Sequence, residues 1–123
     1  MRVMNFAGVG LSEWDSPNIT ARTRKAVPFA EGAEQVDFSF IRFPPGVHST
    51  YHVHPTDQVL FAADGVGFIE TADGRAEFGQ GDVVHCPAGE RHRHGAVPHA
   101  HLDQVSIVVA RRLSQQGADS GGQ

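Results

Sequence analysis

Apolar and polar residues alternate along much of this chain with the period of a strand, and nowhere over a useful length with that of a helix. Val36, Phe38 and Phe40 alternate with polar neighbours before Ile41 and Phe43 shift the pattern, which predicts a strand over 36–43 with apolar residues on both faces. Pro44-Pro45-Gly46 stops it. Similar patterns predict strands over 19–27, 50–54, 58–62, 66–71, 75–78, 83–86 and 102–110. Between them stand a Pro55-Thr56-Asp57 bend and turns at Asp64-Gly65, Asp73-Gly74, 79–82 and Pro87-Ala88-Gly89. Asp73-Gly74 is the strongest hairpin signal, because glycine accepts the positive φ that a tight turn demands. Short strands with turn signals about every eight to twelve residues are the mark of an all-β sandwich or barrel.

A length of 123 residues suits one domain with one core. The expected organisation is an N-terminal arm over 1–30, a barrel over 31–113 and a tail over 114–123. That tail holds Gln, Gly, Ser and Asp without an apolar anchor, so it is expected to be disordered. Fourteen acidic residues against ten basic ones make the surface mildly acidic, and Arg22, Arg24 and Lys25 are too few and too local for a nucleic-acid footprint. Apolar runs such as 105–110 are far shorter than a membrane span. The first residues have no sustained apolar stretch or cleavage site, so no signal peptide is expected. Cys86 stands alone, which excludes an intrachain disulfide and fits a reducing cytoplasm. The expectation is a cytoplasmic protein that binds neither nucleic acid nor membrane.

The histidines change this picture. Of eight, His48, His52 and His54 fall in one short window and His92, His94, His99 and His101 in another, with His85 just ahead of it. Residues two apart on a strand face the same way, so His52 and His54 can aim both imidazoles at one point. Gln58 has the same parity beyond the bend at Pro55, and His92 would complete the set from a distant strand. Imidazole-rich sites of this kind accept divalent Zn, Fe, Ni or Mn. Gln58 is expected either as the fourth ligand or as a residue that orients a three-histidine site. His94 shares parity with His92 and is the candidate proton carrier. Gln104 and Ser106 on the final strand, and His48 by its parity with His52, are candidate substrate-binding residues.

The segment GVHSTYHVHPTDQVLFAADG, from Gly46 to Gly65, resembles the first sequence motif of the cupins, and GDVVHCPAGERHRHGA, from Gly81 to Ala96, resembles the second. The two cover about a third of the chain, with the predicted strands around them. The resemblance implies a small jelly-roll-like β-barrel present in one copy, a single divalent metal at His52, His54, Gln58 and His92, and a homodimer. Gln58 stands where most cupins have glutamate, and Ala96 where the second motif often has asparagine. The glutamine form looks most like the bacterial hydroxynitrile-lyase-type branch. That branch carries a base-like histidine on its last core strand, where this chain has Gln104.

Three neutral imidazoles and a neutral amide would leave the metal its full double charge, favouring a polarised carbonyl or hydroxyl substrate over one-electron chemistry. The leading expectation is a metal-dependent lyase or isomerase acting on a small carbonyl or hydroxyl compound. The alternatives are an Fe-dependent dioxygenase and a non-catalytic cupin that holds a small ligand.

Overall fold

The computed structural model describes residues 1–29 and 32–110, so the expected disordered tail lies outside the described residues. Among the described residues eight strands follow one another without a helix: β1 (Ser12–Trp14), β2 (Thr23–Ala26), β3 (Val36–Phe43), β4 (Gln58–Thr71), β5 (Gly74–Gly79), β6 (Val83–Cys86), β7 (Arg93–Ala96) and β8 (Leu102–Val109). All their pairings are antiparallel. The fold is an all-β barrel, as the turn spacing and the resemblance imply.

The long strand β4 belongs to both walls. Its first half pairs with β8 on one side and β6 on the other, and its second half with β5 and β7. The other wall continues from β8 through β3 and β2 to β1. Strands β1 and β2, within the segment expected as an arm, thus extend the sheet, while Phe6 lies over Phe40 on its outer face at 4.8 Å between ring centroids.

Two segments differ from the sequence expectation. Asp64-Gly65 is not a turn, because β4 runs through it with a register shift between Ala62 and Asp64. This bulge lets one strand bend from one wall into the other while Gly65 stays paired with Leu102. Gly65 takes φ +81°, and a Cβ there would come within 1.9 Å of the His101 carbonyl oxygen. The segment 50–54 forms no regular strand: it holds one isolated bridge, His52 to His92, and a bulge separates that from the bridge of His48 to Gly95 on β7. Conversely, β7 was not legible as a strand, since its Arg-His-Gly-Ala sequence shows no apolar alternation.

Residues facing inward from β3, β8 and β4 share one side by register. Ile41 stands opposite Gln104, Ser39 opposite Ser106, and Leu60 opposite Ser106 from the other flank. Ile41, Phe43, Phe78, Ala96 and Leu102 form the buried apolar core, with Ile19 and Ala62. Beyond Leu102 the next inward residues of β8, Gln104 and Ser106, are polar and fully buried. The core therefore ends where the polar interior begins.

Gly65→Ala is expected to destabilise the fold by about 2 kcal/mol or more, since it combines a positive φ with a backbone clash. Urea unfolding checks this. An unchanged midpoint would mean that the bulge can relax without cost.

Candidate metal centre

His54 and Gln58 flank the Pro55 bend at the start of β4, while His52 stands across from His92 just before β7. The bridge pair His52 and His92 exchanges both backbone hydrogen bonds, at 2.8 and 2.9 Å. The His54 carbonyl accepts the Gly89 amide at 2.9 Å, and the Asp57 carboxylate accepts the Ala88 amide at 3.0 Å. The Pro87-Ala88-Gly89 turn is thereby tied to the bend that carries His54 and Gln58, so the two motifs close on each other through their backbones.

Ring nitrogens of His52, His54 and His92 lie within 4.8 Å of one another. His52 directs Nδ1 to the Thr50 carbonyl at 2.8 Å, and His92 directs Nδ1 to the Glu90 carbonyl at 3.0 Å. A carbonyl can only accept, so each Nδ1 must carry the proton and each Nε2 presents a lone pair. Buried His54 Nε2 has no hydrogen-bond partner.

Gln58 completes the set. Its Nε2 donates to the Ser106 hydroxyl at 3.0 Å, which turns Oε1 towards His92 Nε2 at 3.2 Å. In that orientation two acceptors face each other, an arrangement that a shared cation stabilises and an empty gap does not. Three imidazole lone pairs and an amide oxygen converging in a buried pocket fit a divalent transition metal. Ser106, expected at the substrate, is placed where it sets the direction of the Gln58 amide.

The electrostatics agree with this geometry. Burial lowers the His54 pKa to about 4, and the nearby His52 and His92 add to the effect. Burial also lowers His92. His94 is fully buried and falls well below the usual imidazole range, first through desolvation and then through His52 and His92, with the Gln104 amide opposing. All three imidazoles are neutral at pH 7, the form that binds metal or accepts a proton.

His94 lies beside this group without belonging to it, with its ring centroid 5.4 Å from that of His52 and 5.8 Å from that of His92. The Gln104 amide is the polar group that acts on its ring, although no contact between the two has full hydrogen-bond geometry. The structure thus brings His94 and Gln104 together beside the three-histidine group. It places His48 elsewhere. His48 is bridged to Gly95 and packs on Phe68 at 5.6 Å, and Phe68 and Gly95 face away from the interior that His94 and Ile69 share. The bulge between His48 and His52 shifts the parity by one residue, which the alternation rule could not reveal.

Other candidates are self-contained. A groove of about 610 Å³ on the outer face of β3, β8 and β4 is lined by Phe6, Phe38, Phe40 and Phe61, with Arg42 and Asp103 at its polar end. Asp103, Asp64 and His101 cluster there, but Arg42 binds both oxygens of Asp103 at 2.8 and 3.0 Å and His101 pairs with Asp64 at 3.0 Å. These mutual pairings offset the cost of two carboxylates standing opposite each other in register. Buried Cys86 has its thiol pushed up to about 12, by burial and then by Glu90, which keeps it protonated and unreactive.

Two outcomes are expected. Ser106→Ala removes the acceptor that holds the Gln58 amide and should weaken Zn(II) binding about tenfold, measured by competition with a chromophoric chelator. The second outcome concerns acid. Between pH 6.5 and about 4 the unfolded chain binds a proton at His54 that the folded chain does not. Stability of the metal-free protein should therefore fall as the pH drops through that window, with His92 and His94 adding to the loss. Urea midpoints at pH 7 and pH 4.5 read the change, and a flat profile would contradict the burial argument.

Comparison with known proteins agrees with this arrangement. A family model described as a cupin domain matches residues 39–108, which contain every residue of the candidate site. An (R)-mandelonitrile lyase from Granulicella tundricola is 35% identical over 80 residues, covering 64% of this chain and 60% of that protein. The chain thus matches less than two thirds of that relative's length. Among solved structures, a cupin-like protein from Thermotoga maritima superposes with a TM-score of 0.71 at 28% identity, over 79% of this chain and 75% of that one. A polyketide cyclase from Streptomyces resistomycificus superposes with a TM-score of 0.74 over 89% of this chain and 79% of its own, and at 18% identity it speaks for the fold alone. With the barrel, both motifs and the converging histidines in place, the chain belongs to the cupin domain family.

Proposed function

We propose that this cupin is a metal-dependent lyase acting on a small hydroxyl or carbonyl compound, with cyanohydrin cleavage as the first reaction to examine. The observation that carries the reading is His94: fully buried, held neutral by that burial, beside the three-histidine group and next to the Gln104 amide. A neutral imidazole in that place can take a proton at a ring nitrogen and give it back. The 35% identity to a mandelonitrile lyase supports the lyase class over isomerase chemistry.

His52, His54, His92 and Gln58 would hold the ion, which when bound supplies a Lewis acid for a substrate oxygen. His94 accepts the hydroxyl proton of the substrate at a ring nitrogen. As the carbon–carbon bond to the nitrile group breaks, the electron pair left on oxygen forms the carbonyl, and cyanide departs with the bonding pair. His94 then returns its proton to cyanide. The desolvation that makes His94 a weak base also makes its protonated form a strong acid, so the return step is favoured. The Gln104 amide, next to His94, can hold a substrate oxygen or nitrogen through either of its polar atoms.

His94→Asn in the metal-loaded protein should lower kcat for cyanohydrin cleavage at least about 100-fold with metal content unchanged. His92→Ala should abolish both metal binding and activity. A His94→Asn variant that turns over like the parent would sink the proton-carrier role. Metal-independent activity in His92→Ala would sink the metal-dependent reading.

We also propose that two copies pair through the outer faces of their sheets, where Val36, Val83 and Val109 are exposed. Light scattering coupled to size exclusion should give twice the chain mass, and Val83→Glu with Val109→Glu should halve it.

A further inference from the structure

The residues before β7's partner bridges carry one more feature that alternation alone does not explain. His48 is bridged to Gly95 and His52 to His92, so four steps along one segment match three along the other. The extra residue falls at Thr50-Tyr51, opposite Arg93. This is a β-bulge, and it frees backbone carbonyls that a regular ladder would consume. The Ser49 carbonyl meets His48 Nδ1 at 2.8 Å, and the Thr50 carbonyl meets His52 Nδ1 at 2.8 Å. The amide of His94 donates instead to the Ser49 hydroxyl at 3.1 Å, which keeps it satisfied despite the bulge.

A bulge needs something to hold it. On the side opposite the imidazoles, the Tyr51 ring is covered by two guanidinium groups, Arg91 at 4.2 Å and Arg93 at 4.9 Å from the ring centroid. Arg93 in turn donates from Nε to Glu70 on β4 at 2.6 Å. Arg93 lowers the Glu70 pKa most, and the Tyr51 hydroxyl contributes to the same effect. Tyr51 is thus fastened to β7 by cation–π contacts, and through Arg93 and Glu70 to β4. The next residue, His52, belongs to the three-histidine group on the other side.

We infer that Tyr51, clamped between Arg91 and Arg93, is a positioning residue that holds the Thr50-Tyr51 bulge so that the Thr50 carbonyl sets the tautomer and aim of His52. The inference rests on the metal-centre reading and deepens it. The clamp lies outside the barrel and touches neither metal nor substrate. Its effect reaches the site through one backbone carbonyl. Tyr51→Gly removes the ring; Tyr51→Leu keeps its bulk without a π-face; Tyr51→Phe keeps the π-face without the hydroxyl.

The test measures Zn(II) affinity by chelator competition and, in metal-free protein with ¹⁵N-labelled histidine, the tautomer of His52 by NMR. Tyr51→Gly and Tyr51→Leu should each raise the Kd about tenfold and turn the single Nδ1–H form of His52 into a mixture, while Tyr51→Phe stays close to the parent. If Tyr51→Gly does not fold, Tyr51→Leu carries the test. Parental affinity and an unchanged His52 tautomer in Tyr51→Leu would overturn the inference even if its melting temperature fell, because that pattern belongs to packing alone. Absence of Zn(II) binding by the parent would overturn the metal-centre reading itself, a result distinct from loss confined to the variants.

Discussion

Removing an imidazole from water penalises its charged form far more than its neutral form, and this barrel does so with His54, His92 and His94 at once. Much of the interior follows from that constraint. Neutral imidazoles close together avoid mutual repulsion, yet each still needs its N–H and its lone pair accounted for. Backbone carbonyls of Thr50 and Glu90 take the Nδ1 protons of His52 and His92, and the lone pairs are left to converge. A carboxylate in place of Gln58 would instead stabilise charged imidazoles around it and reduce the net charge that a bound cation could direct at a ligand. The amide leaves the histidines neutral and the site uncompensated.

The fold delivers those groups through irregularities. Strand β4 serves both walls because a bulge at Ala62–Asp64 bends it, and Gly65 permits the close approach to His101. The segment 48–54 is bulged against β7, and the same displacement that moves His48 to the outer face gives His52 its carbonyl partner. Regular ladders would have made a more uniform barrel and a poorer site. Bulges beside a functional centre are the means by which a strand re-aims a side chain without leaving its sheet.

Polar and apolar interiors divide the barrel between them. Phe43, Phe78 and Leu102 supply the packing that stabilises the fold, and the next inward positions of β8 give that role up to Gln104 and Ser106. Ser106 takes the Gln58 amide as its hydrogen-bond donor, and Gln104 lies beside His94. The polar interior thus divides into a part that orients the metal set and a part gathered around His94.

The sequence by itself determined the all-β class, four of the strands nearly to their ends (β3, β5, β6 and β8), and the grouping of His52, His54, Gln58 and His92. Period-two alternation, turn chemistry and motif spacing are local signals, and local signals survive in a linear chain. The inward facing of His94 and Gln104 followed from parity with His92 and Ser106, although β7 itself showed no strand pattern. What only the tertiary structure decided depends on register. One bulge sent His48 to the outside and left only the isolated His52–His92 bridge where a strand was expected at 50–54, and a second, between Ala62 and Asp64, made the expected turn at Asp64-Gly65 a bend within β4. The pairing of Ser106 with Gln58 is likewise set across strands 48 residues apart. A single-residue slip inverts every facing direction beyond it, and no local pattern records where a slip occurs until the partner strand is in place.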